Sequence, residues 1–220
     1  RDPVGETGGH IVRPGIIHKY HGRALLIVSA GCAVNCRYCF RRHFPYQENR
    51  NSREQWQDAL TYISEDPDIE EVILSGGDPL VTTDEHLRQL VEQLAAIPHV
   101  RRLRVHSRLP VVIPDRITAP LLDAITHPDL QSVMVIHCNH PQEINKPVKS
   151  ALANLRAAGV ITLNQAVLLA GINDTAEVQA ALCRELFAAG ALPYYLHLMD
   201  KVQGAAHFDV PEDRARIIMA

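Results

Sequence analysis

The sequence alternates short apolar runs with amphipathic segments, and this alternation restricts the possible folds more than any other feature of the chain. Six apolar runs recur at a spacing of about 30 residues, the pattern of repeated βα units. The predicted strands are 24–29, 71–75, 102–107, 132–138, 160–167 and 194–199. The predicted helices are 53–65, 84–96, 118–125, 147–157 and 175–189. Helix caps are predicted at Asn51 or Ser52, at Thr83 and at Asn173.

The predicted strands are apolar throughout rather than alternating, which indicates a parallel sheet covered by helices. Six βα units predict an α/β fold in the form of a partial (βα)6 TIM-like barrel. A doubly wound open sheet shows the same alternation of elements, so the pattern leaves that alternative open. The 220 residues, 46% of them hydrophobic, are enough for one large domain.

The charge and the cysteine count exclude several classes of protein. A formal net charge of −3 gives no electrostatic reason to bind nucleic acid or a membrane surface. No long apolar span and no secretory leader are present, and the five cysteines are an odd number, so we expect a cytoplasmic protein. The chain starts without methionine and ends in a helical pattern without a cap, so we expect sequence to be missing at both ends.

Polar residues lie at or near the carboxyl ends of the predicted strands, and the strand 160–167 carries such residues, Asn164 and Gln165, within it. In either architecture, the loops at the carboxyl ends of parallel strands carry the functional groups. The segments at these positions are CAVNCRYC (32–39), SGGDP (75–79), HSR (106–108), HCNH (137–140), NQ (164–165) and MDK (199–201). Because a packing role alone would not place polar groups there so repeatedly, the sequence predicts an active-site rim.

Three cysteines, Cys32, Cys36 and Cys39, fall in one short loop. Thiolates bind soft metals, and three of them can hold three irons of a cubane iron–sulfur cluster while the fourth iron stays open. A zinc site completed by His43 or His21 is one alternative, and buried cysteines without a ligand are another. Zinc sites more often use two separated cysteine pairs, and the remaining two cysteines are neither paired nor suitably spaced.

The segment CAVNCRYC fits the CxxxCxxC pattern and resembles the radical S-adenosylmethionine (SAM) superfamily, including the aromatic Tyr38 before the third cysteine. The resemblance implies a partial (βα)6 barrel with the cysteine loop after its first strand. It also implies that SAM chelates the open iron of a [4Fe–4S] cluster and is cleaved to a 5′-deoxyadenosyl radical on reduction. Gly76, Gly77 and Asp78 resemble the family motif whose backbone meets the methionyl amine of SAM, although a turn is the simpler reading of SGGDP alone.

Five longer segments resemble the lysine 2,3-aminomutase family, and within it the bacterial enzymes that supply (R)-β-lysine for modifying elongation factor P. These segments are 18–46, 74–80, 106–118, 164–174 and 193–208. The resemblance implies an isomerase that converts L-α-lysine to (R)-β-lysine with pyridoxal 5′-phosphate (PLP). It further implies a reductant such as flavodoxin or ferredoxin, and an elongation factor P ligase that uses the product. The alternatives are a catabolic lysine or a glutamate 2,3-aminomutase, and a non-catalytic zinc-binding module.

Two residues match the family positions that bind the substrate. Arg41 matches the residue that clamps the substrate carboxylate, where a guanidinium gives a planar bidentate contact. Asp200 matches a residue that binds the ε-ammonium of lysine, and an anion there would repel the side chain of glutamate. Without the resemblance, Asp200 could equally be a helix cap. Arg42 is either a surface charge or a second anion contact.

The resemblance also implies a cofactor pocket. Lys19, Tyr20 and Arg23 match the segment that binds the PLP phosphate. Without the resemblance, a solvated loop and strand start is the preferred explanation of Lys19 and Arg23. The residues at further cofactor-pocket positions are Arg108, His137, Asn164 and Gln165. His137 and His140 could also form a metal pair, but nothing completes the ligand set.

The predicted organisation has three parts. Residues 1–22 form a lead that contributes to the phosphate site, 23–208 the radical SAM core, and 209–220 the start of a C-terminal segment. The family's PLP-binding lysine and a second substrate-binding aspartate belong to a downstream segment, which we expect beyond Ala220. The sequence leaves the oligomeric state open, a homo-oligomer included.

Overall fold

The computed structural model describes residues 10–13, 15–42 and 53–220, without the side chains of 53–55. His43, Asn51 and Ser52 lie outside these ranges. The strands are β1 (Ile11–Arg13), β2 (Ile16–Tyr20), β3 (Arg23–Ser29), β4 (Glu71–Gly76), β5 (Arg102–Ser107), β6 (Gln131–Ile136), β7 (Ile161–Val167) and β8 (Leu192–His197). The helices are α1 (Arg53–Glu65), α2 (Asp84–Ala95), α3 (Leu109–Val112), α4 (Ala119–Ile125), α5 (Lys146–Ala157), α6 (Ala176–Ala189) and α7 (Glu212–Met219). No helix of this part of the chain is long and apolar enough to cross a membrane.

All eight strands belong to one sheet whose spatial order is the order of the sequence. The first two pairings, β1 with β2 and β2 with β3, are antiparallel. From β3 to β8 every pairing is parallel. A doubly wound sheet reverses its strand order at a switch point, whereas each parallel strand here is added on the same side. The winding is therefore that of a barrel, and it confirms the predicted partial (βα)6 barrel.

The six predicted strands and the five predicted helices are present, with ends that differ by up to two residues. The antiparallel pair β1 and β2 was not predicted, because it lies before the first repeat. The structure thus places residues 11–13 and 16–20 of the predicted lead in the same sheet as the core. The predicted boundaries between the three parts stay a prediction.

The two faces of the sheet differ in polarity, as β5 illustrates. Leu103 and Val105 are buried beneath the helices, whereas Arg104 and His106 point to the other face and are only partly buried. Helix α2 covers the apolar face through four residues at helical spacing, namely Leu87, Leu90, Val91 and Leu94. Each such side chain contributes about 1.5–3 kcal/mol on burial. The helices therefore stabilise the barrel from outside, and its interior is left for polar groups.

Two of the predicted helix caps can be compared with the structure. Thr83 caps α2, since its side chain accepts a hydrogen bond from the backbone N–H of His86. The prediction of Asn173 as a cap is wrong, because Thr175 caps α6. Asn173 is fully buried, and its Nδ2 donates hydrogen bonds to the carbonyl oxygens of Asn139 and Val167. The amide of Asn173 therefore satisfies buried backbone groups inside the fold rather than the N–H groups at the exposed start of a helix.

Candidate functional site

The cysteine loop leaves the carboxyl end of β3, at the predicted rim. Cys32 is exposed, and Cys36 and Cys39 are partly buried; all three are free thiols. A tight turn brings the last two together, since the N–H of Cys39 donates to the carbonyl of Cys36 at 3.2 Å. Burial raises the pKa of Cys32 to about 11, with Asp78 and the other two cysteines adding to the effect. Three thiolates so close together need a cation to offset their charge.

The donor set fits an iron–sulfur cluster. Among the described residues, no three His, Cys, Asp or Glu side chains are arranged to hold a single metal ion. A mononuclear site requires its ligands to converge on one ion, whereas a cubane cluster takes one thiolate for each iron. The three thiols lie on one loop at the rim, and the sulfur of Cys36 already accepts a hydrogen bond from Arg108. That contact is typical of the environment that iron–sulfur sites require.

Two glycines fix the loop after β4 against the backbone that leads to Cys32. Gly76 has φ +120°, and a Cβ atom there would lie 2.5 Å from the carbonyl oxygen of Ser29. A Cβ atom on Gly77 would lie 2.2 Å from the carbonyl oxygen of Gly31. The N–H of Gly77 donates to Ser29 at 2.7 Å. The close approach that requires glycine is therefore made by the protein's own backbone, and contact of this segment with SAM stays a prediction.

Asp78 joins the β4 loop to the end of β5. Its Oδ1 accepts hydrogen bonds from the N–H of Leu80 at 3.0 Å and from Ser107 Oγ at 2.8 Å. Its Oδ2 accepts one from the N–H of Arg108 at 2.9 Å. Burial raises the pKa of the carboxyl group, and these hydrogen bonds oppose the shift. The side chain thus positions two loops of the rim, and its predicted part in binding SAM remains untested.

Arg108 lies directly beside the cysteine loop. Its Nη1 donates to Cys36 Sγ at 3.0 Å and to the hydroxyl of Tyr38 at 2.7 Å. Its Nη2 forms an ion pair with Glu143 at 3.2 Å. Burial lowers the pKa of Arg108, but Tyr38, Cys36 and Glu143 outweigh this effect and raise it above its usual value. The predicted cofactor-pocket residue is therefore a permanent cation in contact with a cysteine sulfur.

Arg41 and Arg42 have different positions despite being neighbours. Arg41 Nη1 donates to Ser75 Oγ at the end of β4, at 2.8 Å, so its guanidinium faces the barrel. Arg42 donates to the carbonyl oxygens of Arg37 at 2.7 Å and Gln203 at 3.2 Å. Arg42 thereby braces the cysteine loop against the segment after β8, and its guanidinium is engaged by backbone rather than by an anion.

Histidine side chains fill the upper interior of the barrel. The rings of His106 and His137 lie edge to face with their centroids 6.2 Å apart. Burial lowers the pKa of His137 to about 4, and Arg108, His197 and Arg41 act in the same direction. Burial likewise holds the pKa of His106 well below its usual value. Both rings are therefore neutral at physiological pH. The Nε2 atom of His106 is buried and has no hydrogen bond to any residue that the structure describes.

Three further predicted residues line this interior or stabilise its wall. Gln165 Nε2 lies 3.3 Å from both ring nitrogens of His137, so it touches the ring without aligning with either nitrogen. Asn164 is buried and pairs through its amide with the N–H and carbonyl of Cys138, which gives it a structural role. Asp200 follows β8 and lies close enough to His197 to raise that residue's pKa, although burial lowers it more.

The residues predicted to bind the PLP phosphate lie at the opposite end of the barrel from the cysteines. Lys19 and Tyr20 end β2, and Arg23 begins β3, so a strand of about 20 Å separates them from the cysteine loop. Both cations lie 5.6 Å from the centre of the Tyr20 ring. Arg23 is also within electrostatic reach of Tyr194 and Tyr195 of β8. The structure groups these residues, and the phosphate contact stays a prediction.

Several residues of the site could not be identified from the sequence. The buried Glu71 forms an ion pair with Arg104 Nη2 at 2.7 Å in the lower interior. Glu143 forms an ion pair with Arg108, and His197 acts electrostatically on His137, but neither belongs to a recognisable motif. Ser75 and Asn139 lie in the predicted rim segments SGGDP and HCNH, although the sequence predicts no role for either of them by itself. For Arg104 a signal was available in the alternation within β5, where it and His106 of the predicted rim segment HSR interrupt an otherwise apolar run. A charged or imidazole group on the inner face of a barrel strand is unusual unless it faces a polar interior.

Comparison with protein families agrees with this geometry. The family model of the Radical SAM superfamily matches residues 26–181, a span that includes the three cysteines and the glycine pair. The chain belongs to the radical SAM superfamily. Membership implies a [4Fe–4S] cluster and SAM as cofactors. The cysteine loop is the part of the structure whose donor atoms fit such a cluster.

Within the superfamily, the chain is similar to proteins named L-lysine 2,3-aminomutase. It is 55% identical to the one from Escherichia coli (strain K12), over 99% of this chain and 63% of that protein. The identity to the Haemophilus influenzae protein is 52%, over 97% of this chain and 63% of that protein. For the Clostridium subterminale protein it is 38%, over 96% of this chain and 50% of that protein. The chain thus spans less than two thirds of the length of these relatives.

Solved structures show the same fold at low identity. A structure of anSMEcpe with bound AdoMet and a Kp18Cys peptide has a TM-score of 0.65 at 12% identity, covering 86% of this chain and 55% of that one. A spore photoproduct lyase mutant with bound AdoMet has a TM-score of 0.52 at 18% identity, covering 89% and 59%. These likenesses concern the fold and confirm the radical SAM type of partial barrel.

Proposed function

We propose that this chain is the barrel core of a radical SAM, PLP-dependent L-lysine 2,3-aminomutase that converts L-α-lysine to (R)-β-lysine. The observation that carries the proposal is the charge arrangement beneath the cysteine loop. The charge of Arg41 lowers the pKa of His106 and that of His137. The charge of Asp200 opposes the lowering of the His197 pKa by burial, and His197 in turn lowers the pKa of the same two rings. The cation Arg41 and the anion Asp200 therefore both face an interior lined by neutral histidines, which Arg104 and Arg108 also influence.

Lysine fits this arrangement better than glutamate does. Arg41 binds the substrate carboxylate through a planar fork of donors that lysine in its place could not reproduce. Asp200 binds the ε-ammonium at the far end of the substrate, and in a partly enclosed interior such a pair discriminates strongly against a second carboxylate. The 55% and 52% identity to proteins named L-lysine 2,3-aminomutase supports this choice of substrate. A catabolic lysine or a glutamate aminomutase is the alternative.

The residues of the rim hold the radical source. Cys32, Cys36 and Cys39 would bind three irons of the cluster, and the loop of Gly76 and Gly77 would contact SAM at the fourth. When bound, the cluster and SAM supply the carbon radical that removes a hydrogen atom from the substrate. Arg41 follows the last cysteine by two residues. The same loop therefore positions the substrate beside the radical source, and the oriented geometry accounts for much of the catalytic effect of such sites.

Lys19, Tyr20 and Arg23 would bind the phosphate of PLP at the lower end of the barrel. PLP, when bound, supplies the π-system through which the amino group moves between carbon atoms. A cationic pair beside an aromatic ring suits a phosphate group. Arg104 lies nearby, although Glu71 already offsets its charge. The lysine that would hold PLP covalently is expected outside the present sequence.

In the cell, the proposed enzyme is cytoplasmic and takes electrons from a reductant such as flavodoxin or ferredoxin. An elongation factor P ligase would consume the (R)-β-lysine. This part of the proposal follows from the resemblance of the quoted segments to the enzymes of that pathway. The oligomeric state is left open, a homo-oligomer included.

The direct test uses full-length protein reconstituted anaerobically with iron and sulfide. We expect about four irons per chain, and conversion of lysine to β-lysine when SAM, PLP and a reductant are present. The matched control replaces Cys36 with alanine and should lose both the iron and the activity. One zinc per chain without sulfide would support a non-catalytic zinc module instead. Formation of β-glutamate with lysine untouched would overturn the substrate assignment.

A further inference from the structure

Arg108 is held in contact with a cysteine sulfur by three other side chains. Its Nη1 reaches both Cys36 Sγ, at 3.0 Å, and the Tyr38 hydroxyl, at 2.7 Å. Its Nη2 reaches Glu143 Oε2 at 3.2 Å, and its charged centre lies 5.7 Å from the Tyr38 ring. Asn139 Nδ2 donates to the same Tyr38 hydroxyl at 2.6 Å. The guanidinium therefore has a fixed orientation rather than the mobility of a surface arginine.

The anchors on the far side are themselves rigid. Glu143 Oε1 accepts hydrogen bonds from the N–H groups of Asn139 at 2.7 Å and His140 at 2.9 Å. Asn139 is buried, and its Oδ1 accepts from the N–H of Val167 at 2.9 Å. The turn after β6 and the end of β7 thus position Arg108 against the cysteine loop. The site also has a spare donor, because Nε of Arg108 is buried and makes no hydrogen bond within the described part of the chain.

A donor and a positive charge at a ligating sulfur affect the reduction of an iron–sulfur cluster. Reduction adds one electron, and therefore one negative charge, to the cluster and its thiolates. Hydrogen bonds to the sulfurs and nearby positive charge stabilise the more negative state. Since Arg108 is always protonated, its effect does not depend on pH in the physiological range.

We propose that Arg108 is a positioning residue that raises the reduction potential of the cluster through its hydrogen bond to Cys36, with Glu143 partly offsetting that effect. This inference rests on the proposed cluster at Cys32, Cys36 and Cys39. An arginine suits the role because one planar group reaches a sulfur, a hydroxyl and a carboxylate in fixed directions. A lysine at this position could supply the charge but not the set of oriented contacts.

The test is a redox titration of reconstituted full-length protein, followed by the electron paramagnetic resonance signal of the reduced cluster. Dithionite supplies the electron, and each variant is first measured for iron and sulfide. We expect Arg108→Gln to lower the equilibrium constant for reduction about tenfold, a shift of about 59 mV to more negative potential for one electron. Arg108→Lys should fall between Arg108→Gln and the native protein. Arg102→Gln, at the other end of β5, is the control and should leave the potential unchanged.

A second variant separates tuning from simple damage to the fold. Glu143→Gln keeps an oxygen that can accept from Asn139 and His140 but removes the charge that offsets Arg108, so its potential should shift to more positive values. A more negative potential in Arg108→Gln together with a more positive one in Glu143→Gln supports the inference. If Arg108→Gln retains no iron, a more positive potential in Glu143→Gln supports it alone. An unchanged potential in cluster-loaded Arg108→Gln overturns it, as does an unchanged or more negative potential in Glu143→Gln. Native protein that binds no cluster would instead contradict the proposed function.

Discussion

Asn139 donates a hydrogen bond from Nδ2 to the hydroxyl of Tyr38 at 2.6 Å, across 101 positions of sequence. The carbonyl of Asn139 also accepts from Asn173 Nδ2 at 2.8 Å, and its Oδ1 accepts from the N–H of Val167 at 2.9 Å. The side-chain amide of Asn139 thus connects the cysteine loop to the end of β7, and its backbone carbonyl connects the turn after β6 to the segment before α6. The loop that carries the three cysteines is therefore part of the barrel framework.

The first prediction concerns this amide. Asn139→Ala removes the buried donor to Tyr38 and leaves the partly buried N–H of Val167 without its partner. We expect the free energy of unfolding to fall by about 2–4 kcal/mol, because unsatisfied buried polar groups are costly. Urea denaturation monitored by circular dichroism measures the change. Gln142→Ala, on the exposed neighbouring turn, should change stability by less than about 0.5 kcal/mol. Equal stability of the two variants would contradict the structural role of Asn139.

The second prediction concerns the glycine pair. Gly77→Ala would bring a Cβ atom to 2.2 Å from the carbonyl of Gly31, so the backbone leading to Cys32 must move. We expect the reconstituted variant to retain less than about half of the iron, while its helical content stays near that of the native protein. Iron analysis and circular dichroism test both statements.

A matched glycine control separates this clash from backbone strain. Gly159 has φ +78° and open space around a Cβ atom, so Gly159→Ala carries only the strain of a left-handed conformation. We expect that variant to lose about 1 kcal/mol of stability and to retain its iron. Full iron retention in Gly77→Ala would show that the two loops can separate without loss of the site.

The third prediction concerns substrate choice. Asp200→Asn removes the anion proposed to bind the ε-ammonium of lysine, so KM for lysine should rise about 10–100-fold, the effect of losing a hydrogen bond to a charged group. The exposed Asp209→Asn should leave KM unchanged. Steady-state kinetics of the full-length enzyme test the difference. An unchanged KM in Asp200→Asn would remove the main argument for lysine over glutamate.

The fourth prediction concerns acid. Burial lowers the pKa of His137 to about 4, with contributions from Arg108, His197 and Arg41, and the ring of His106 lies beside it. The unfolded chain takes up a proton below about pH 6.5, whereas the folded chain does so only near pH 4, so stability falls as the pH drops between these values. We expect this histidine to account for roughly 1 kcal/mol of the stability lost between about pH 7.5 and 5.5.

Urea midpoints at the two pH values measure this effect. Replacing the histidine by glutamine, His137→Gln, removes the titrating group, so the variant should lose less stability than the native protein over the same interval. If both lose the same amount, His137 is protonated in the folded state and the interior is more polar than its contacts indicate.

Much of the fold could be predicted because its signals are local. The six parallel strands and their helices follow from apolar runs and helical periodicity, and Thr83 is a cap because its side chain serves its own turn. Asn173 was misjudged since the same amide chemistry that caps a helix can serve buried backbone elsewhere. The choice between a barrel and a doubly wound sheet depends on strand order, and local patterns do not contain that order.

For the site, the sequence by itself determined the cysteine loop, because its spacing and its thiol chemistry define it. The glycine pair and the substrate-binding candidates followed only from the resemblance of longer segments to a known family. Only the tertiary structure decided which groups meet across the barrel. It placed Arg108 on the sulfur of Cys36, 72 positions away, and joined Tyr38 to Asn139. Long-range contacts of this kind depend on where parallel strands end relative to one another. That relation is set by packing the whole sheet and not by any one segment.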